Sequence, residues 1–200
     1  MPPRVPFTQT FLAGKELEYV SQVVEQGMLA SDGPFSEQCA SWLKQYSGAA
    51  GVLLTSSCTA ALEMAAMLCE LGPGDEVIMP SFTFVSTASA VARTGAQPVF
   101  VDVDPQTLNI DPACIAPRLN SRTRAIIPVH YAGVGCPMEA INELADQHRL
   151  VVIEDAAQAV GASYAGRPLG SHGQLAAFSF HHTKNISCGE GGALCVNDQG

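Results

Sequence analysis

Positive charge is scarce in this chain: 10 Lys and Arg stand against 19 Asp and Glu, for a formal net charge of -9 and a pI near 4.8. Without a basic stripe a phosphate backbone has nowhere to dock, which excludes DNA and RNA as expected partners. Long apolar runs are missing too, so no segment reads as a bilayer-spanning helix and no membrane partner is expected. The opening Met1-Pro2-Pro3-Arg4-Val5-Pro6 runs on into polar residues rather than the apolar core of a secretory leader, which points to a cytoplasmic protein. The cysteines (Cys39, Cys58, Cys69, Cys114, Cys136, Cys188, Cys195) are odd in number and contain no C-x-x-C pair. That pattern fits neither a zinc site nor a disulfide framework, and most are expected to be buried, reduced thiols. Internal repeats and low-complexity linkers are also lacking.

What is present describes a globular chain. Its 200 residues are 47% hydrophobic and 14% charged, with 18 Gly and 13 Pro, enough for one sizeable core. Leu17, Val20 and Val24 recur at helical spacing, and Pro34 to Tyr46 offers a second amphipathic helix with the single tryptophan, Trp42. These two helices read as an N-terminal arm over 1–50. From residue 51 short β-branched runs alternate with helical stretches, the pattern of a doubly wound α/β domain over 51–200. Strands are expected at Val52–Thr55 (buried), Glu76–Met79, Pro98–Val101, Ala125–Val129, Leu150–Glu154, Ala176–Phe180 and Ala193–Val196. Helices are expected at Thr59–Leu71, Phe84–Arg93, Asp111–Leu119 and Met138–His148, with a β excursion through 161–170.

The chemistry gathers where strands end. Ser57 can cap a helix whose first amides, those of Cys58, Thr59 and Ala60, then point outward with the Thr59 hydroxyl, an arrangement that binds phosphate. An ordinary Ser-capped helix explains the same residues. Asp155 follows an apolar strand, where a carboxylate faces the ligand crevice of a parallel sheet; it could hold a protonated pyridine nitrogen, or simply cap a following helix. Gln158, one helical turn on, could reach the ring hydroxyl of such a ligand, or be a plain polar surface residue. Phe82-Thr83-Phe84 offers an aromatic to stack on a planar ring, although core packing is the commoner role of Phe. A lysine is usually an exposed side chain, but Lys184 follows the buried strand Ala176–Phe180 and enters Asn185-Ile186-Ser187-Cys188-Gly189-Glu190-Gly191-Gly192, a glycine-rich bend that positions an amine for condensation with an aldehyde. A lysine amine paired with an acid one strand earlier suggests pyridoxal phosphate (PLP) chemistry. His130-Tyr131 could line the same crevice or serve the structure alone. Adjacent His181 and His182 diverge and have no partner at ligand spacing, so no metal is expected.

Taken in order, Ser57-Cys58-Thr59, Phe84, Glu154-Asp155-Ala156-Ala157-Gln158, Ser179 to Lys184 and Gly189-Glu190-Gly191-Gly192 resemble the sugar-nucleotide aminotransferases of the DegT/StrS type, within the aspartate aminotransferase superfamily (fold type I). The match runs from about residue 8 to residue 200. It implies the large domain of that fold, a mostly parallel seven-stranded sheet flanked by helices, with the C-terminal small domain absent because family members are about twice as long. It also implies that Lys184 is the lysine bonded to PLP, that Asp155 pairs with the ring nitrogen and that Gln158 contacts the ring oxygen. Thr59, the amides of Cys58 and Ala60, and Ser179 would hold the phosphate, and Phe84 would stack on the ring. Cys58 stands where Gly or Ala is more usual, a change that spares a backbone contact. Related sugar dehydratases carry His at the Lys184 position, so Lys184 argues for transamination.

Pro80 to Thr87 and Pro128 to Gly133 look most like the subgroup that makes dTDP-4-amino-4,6-dideoxygalactose from dTDP-4-keto-6-deoxyglucose, with glutamate as amino donor. The implied partners are a nucleotide-linked ketosugar, an amino-acid donor and a second copy in a homodimer. Another ketosugar or cyclic ketone as acceptor, a non-catalytic regulatory relative, or an inactive fragment remain alternatives.

Overall fold

Alternating apolar strands and small-residue helices wind into a three-layer α/β/α sandwich, seen in a computed structural model that describes residue 9 and residues 11–197. The opening Met1 to Pro6 and the closing 198–200 lie outside the described residues. In chain order the elements are α1 (Glu16–Gln26), α2 (Pro34–Ser47), β1 (Gly51–Thr55), α3 (Cys58–Leu68), β2 (Glu76–Pro80), α4 (Val85–Ala92), β3 (Gln97–Val101) and α5 (Pro112–Ile115). They continue as β4 (Thr123–Ile126), α6 (Met138–His148), β5 (Val151–Asp155), the hairpin β6 (Ser163–Tyr164) and β7 (Arg167–Pro168), β8 (Leu175–Ser179) and β9 (Gly192–Val196).

Seven strands form one sheet in the order β1-β9-β8-β5-β4-β2-β3. The four contacts from β3 to β8 are parallel, whereas β9 runs antiparallel between β8 and β1. Parallel neighbours need crossovers, and the helices supply them, covering both faces. Because side chains alternate along a strand, each strand feeds two cores. Val77, Met79, Ile153, Leu175 and Ala177 pack against Ala61, Ala65 and Val91 of α3 and α4. On the other face Ile78, Ile126 and Val152 meet Met138 and Ile141 of α6, while Ala176 and Phe178 meet Leu43 of α2.

Several expectations change. Val52–Thr55 is not a buried strand: β1 lies at the sheet edge, with Leu53 50% and Leu54 39% exposed. The helix expected over Asp111–Leu119 is one α turn followed by a 3-10 turn at Ala116–Arg118, because Pro117 has no N–H to continue the ladder. No helix follows Asp155, so Gln158 stands on a turn and not one helical turn along. The two N-terminal helices also differ: α2 buries Leu43 and Ser47, whereas α1 buries nothing and leaves Leu17 83% exposed. Most of the thiols are free but not buried. Only Cys136 and Cys195 are, since Cys39 sits on the outer side of α2 and Cys188 in the loop before β9. No helix among the described residues is long and apolar enough to cross a membrane.

Candidate active site

The C-terminal ends of β2, β5 and β8 and the N-terminus of α3 enclose a cavity of about 760 Å³, at the place where open α/β sheets bind ligands. Cys58, Thr59, Phe84, Asp155, Gln158, Ser179 and Lys184 all line it, as do His130 and Tyr131. Ala60 does not: its amide is taken by the Ser57 hydroxyl, which accepts it at 3.1 Å as the cap of α3. The preceding amides, Cys58 and Thr59, have no earlier helical carbonyl to bond and open toward the cavity with the positive end of the helix dipole. The Thr59 hydroxyl shares a 2.7 Å hydrogen bond with Ser86 of α4. Ser179, the last residue of β8, is buried and its hydroxyl accepts the His181 N–H at 3.4 Å.

The glycines after Lys184 serve the frame as well as the cavity. A Cβ on Gly192 would sit 2.4 Å from the Ser57 carbonyl carbon and 2.5 Å from the Cys58 nitrogen. The close approach that this glycine permits is therefore between β9 and the turn into α3. The segment between β8 and β9 folds back on itself, with Phe180 N–H donating to Gly191 O and His182 N–H to Gly189 O, both at 2.9 Å. Asn185 Nδ2 donates to Val160 O at 2.8 Å, which ties the Lys184 bend to the turn after β5.

Asp155 is the most constrained acid of the cavity. Its Oδ2 accepts from the Thr87 hydroxyl at 2.7 Å and its Oδ1 from the Ala157 N–H at 3.2 Å. Thr87 is in turn bonded to Thr83 at 2.7 Å. Burial pushes the Asp155 carboxyl above the usual range, against the pull of Thr87, the Ala157 amide, the charge of His130 whenever it is protonated and the Lys184 charge. Burial, then the charge of Asp155, pushes the Cys58 thiol well above its ordinary value, opposed by Lys184, so it stays protonated. Gln158 Oε1 accepts the Ala132 N–H at 2.6 Å, which holds Gln158 against the residues after His130. Phe82 packs edge-on against Tyr131 at 4.8 Å between centroids, while Phe84 is 73% exposed at the mouth. The linear pattern assigns no role to Ser86 and Thr87, because their partners lie 27 and 68 residues away.

These groups fit PLP. A buried carboxylate held above its ordinary range is relieved by a cationic ring nitrogen, unpaired helix amides accept a phosphate, and an amine stands in the same cavity. Among the described residues no cluster of His, Cys, Asp or Glu could hold a metal ion.

Comparison with known proteins points the same way. The family model described as DegT/DnrJ/EryC1/StrS aminotransferase matches residues 11–200. The spore coat polysaccharide biosynthesis protein SpsC of Bacillus subtilis is 43% identical over 195 residues, 98% of this chain and 50% of that protein. GDP-perosamine synthase of Caulobacter vibrioides is 42% identical over 196 residues, 98% of this chain and 53% of that protein. The PLP form of a Streptococcus pneumoniae protein described as a sugar aminotransferase superposes with a TM-score of 0.93 at 29% identity, covering 98% of this chain and 54% of the other. The chain thus spans about half the length of the curated relatives it matches.

Proposed function

We propose, for a chain that belongs to the DegT/DnrJ/EryC1/StrS aminotransferase family, that it carries the PLP-binding half of a nucleotide-sugar aminotransferase. The reaction passes an amino group from glutamate to the C4 ketone of dTDP-4-keto-6-deoxyglucose, giving dTDP-4-amino-4,6-dideoxygalactose. The observation that carries the reading is the convergence of Lys184, Asp155 and the α3 N-terminus on one cavity.

PLP, when bound, supplies an aldehyde and an electron-withdrawing ring. Lys184 holds that aldehyde through Nζ and, when its amine is free, takes and returns the proton that moves between the amino-acid carbon and the cofactor. Asp155, steadied by Thr87 and the Ala157 amide, keeps the ring nitrogen protonated. The amides of Cys58 and Thr59, with the hydroxyls of Thr59 and Ser179, hold the phosphate; the Ala60 amide is already committed to Ser57. Phe84 would stack on the ring, and Gln158, its Oε1 held by the Ala132 N–H, would contact the ring oxygen.

The same reading makes the enzyme a cytoplasmic homodimer. The unburied apolar stripe of α1, Leu17, Val20 and Val24, supports a second copy. Whole protein supplied with PLP, glutamate and a panel of dTDP- and GDP-linked 4-ketosugars and a cyclic ketone tests the assignment. Amino-sugar formation from dTDP-4-keto-6-deoxyglucose is expected; preference for a GDP-linked or cyclic ketone acceptor would move the substrate, and no turnover with any of them would reject the activity.

A further inference from the structure

Glu154, the neighbour of Asp155 on β5, is fully buried and points to the opposite side of the strand. Its Oε1 accepts the N–H groups of His172 and Gly173, both at 2.6 Å. Its Oε2 accepts the Gly170 N–H and His130 Nε2, both at 2.8 Å. Four donors fill the acceptor capacity of a carboxylate. Burial alone would raise this carboxyl, yet the hydrogen bond from His130, the charge of that ring whenever it is protonated, and the Gly173 and Gly170 amides hold it below its ordinary value.

The imidazole of His130 shows its protonation by its contacts. Its Nδ1 accepts the Cys136 N–H at 3.2 Å, so that nitrogen bears no proton, and the single ring proton sits on Nε2 facing Glu154. A ring that donates from one nitrogen and accepts at the other is neutral. The charge of Glu154 is therefore balanced by three backbone amides and a neutral donor, not by an imidazolium. The other titratable or charged groups around the pair are Asp155 and Lys184 on the cavity side, Arg167 on β7, His172 on the loop before β8, and the thiols of Cys136 and Cys195.

Three segments meet at this carboxylate. His130 N–H donates to Asp155 O at 3.1 Å, and Asp155 N–H donates to Pro128 O at 2.9 Å, so the 128–130 segment brackets Asp155 itself. The 170–173 loop leads into β8, whose far end presents Ser179 and the bend bearing Lys184. We propose that Glu154 and a neutral His130 are positioning residues: together they set where the Asp155 carboxylate stands relative to β8, without adding a second cation beside it. This rests on Asp155 serving the ring of PLP.

The test uses whole protein, nitrogen-labelled at histidine, with PLP as the probe. Near neutral pH the wild type is expected to show, among its histidine signals, a ring protonated at Nε2 and bare at Nδ1 that disappears in His130→Gln; an imidazolium or an Nδ1–H ring at this position overturns the proposal. His130→Ala is expected to weaken PLP binding about tenfold, the equivalent of one buried donor–acceptor pair, and to shift the absorption band of the bound cofactor. His130→Gln, whose amide can donate to Glu154 and accept from Cys136, is expected to restore both. His172→Ala removes a ring that makes no hydrogen bond to Glu154 through its side chain, so it is expected to change melting temperature alone. If His130→Ala binds PLP like the wild type, or His172→Ala weakens binding equally, the positioning role is refuted while cofactor binding stands. Wild type that takes up no PLP overturns both readings.

Discussion

The two sides of β5 treat adjacent carboxylates in opposite ways. On the closed side Glu154 is saturated with donors and its carboxyl is held below the ordinary range. On the cavity side Asp155 has a hydroxyl and one amide, and burial leaves its carboxyl above that range. Both acids are buried, so burial alone does not separate them; the supply of donors does. A satisfied carboxylate is a structural rivet, whereas an undersupplied one facing a cavity waits for a cation. The sheet thus keeps its stability and its chemistry on opposite faces of a single strand.

Breaking the cavity side at its amine has the largest expected effect. Lys184→Ala is predicted to reduce amino-sugar formation at least about 10²–10⁴-fold, the usual worth of a positioned proton carrier, with little change in melting temperature. Activity that survives this change would sink the assignment of the lysine. Breaking the closed side acts on stability: Glu154→Ala strands three amides and the His130 N–H, each worth about 1–3 kcal/mol when buried without a partner, and chemical denaturation is expected to show a loss of several kcal/mol.

Asp155→Asn sharpens the contrast, because its effect on stability has the other sign. The folded-state pKa of Asp155 is raised, so its contribution is complete below the unfolded value and is lost as pH rises through the folded one. Cofactor-free Asp155→Asn is therefore predicted to be at least as stable as the wild type at neutral pH, while PLP binding weakens. Glu154, with a lowered folded-state pKa, contributes above its unfolded value and loses that contribution as pH falls through the folded one. Acid titration of cofactor-free protein should accordingly show destabilisation that Asp155→Asn does not remove. At the small end, Ser57→Ala is expected to cost about 1 kcal/mol through loss of the α3 cap. Phe84→Leu should shift stability by no more than about 0.5 kcal/mol yet lower PLP affinity, a difference that parallel melting and titration would reveal.

The sequence carries what is local. Met138–His148 is helical at both bounds read from its pattern, and the strands bearing Asp155 and Ser179 are read to within one residue at each end, Leu150–Glu154 against Val151–Asp155 and Ala176–Phe180 against Leu175–Ser179. It does not carry what depends on neighbours in space. The exposure of Leu53 follows from β1 lying at a sheet edge, a property of strand order. The turn after Asp155 follows from the Ala156 N–H bonding Ala177 O on β8, a contact 21 residues along the chain. In the same way Thr87, Ser86 and the Glu154 hub are invisible as motifs because their hydrogen bonds join distant segments. Glu154 was legible as a neighbour of Asp155 but not as a separate device, since alternation on a strand puts the two on different faces.

The chain holds only three lysines, Lys15, Lys44 and Lys184, which makes the central claim open to a direct measurement. Whole protein incubated with PLP, reduced with borohydride and digested should yield a pyridoxyl-modified peptide that contains Lys184, with no stoichiometric label at Lys15 or Lys44. A stoichiometric label on another lysine, or an unmodified Lys184 peptide at saturating cofactor, would contradict the account.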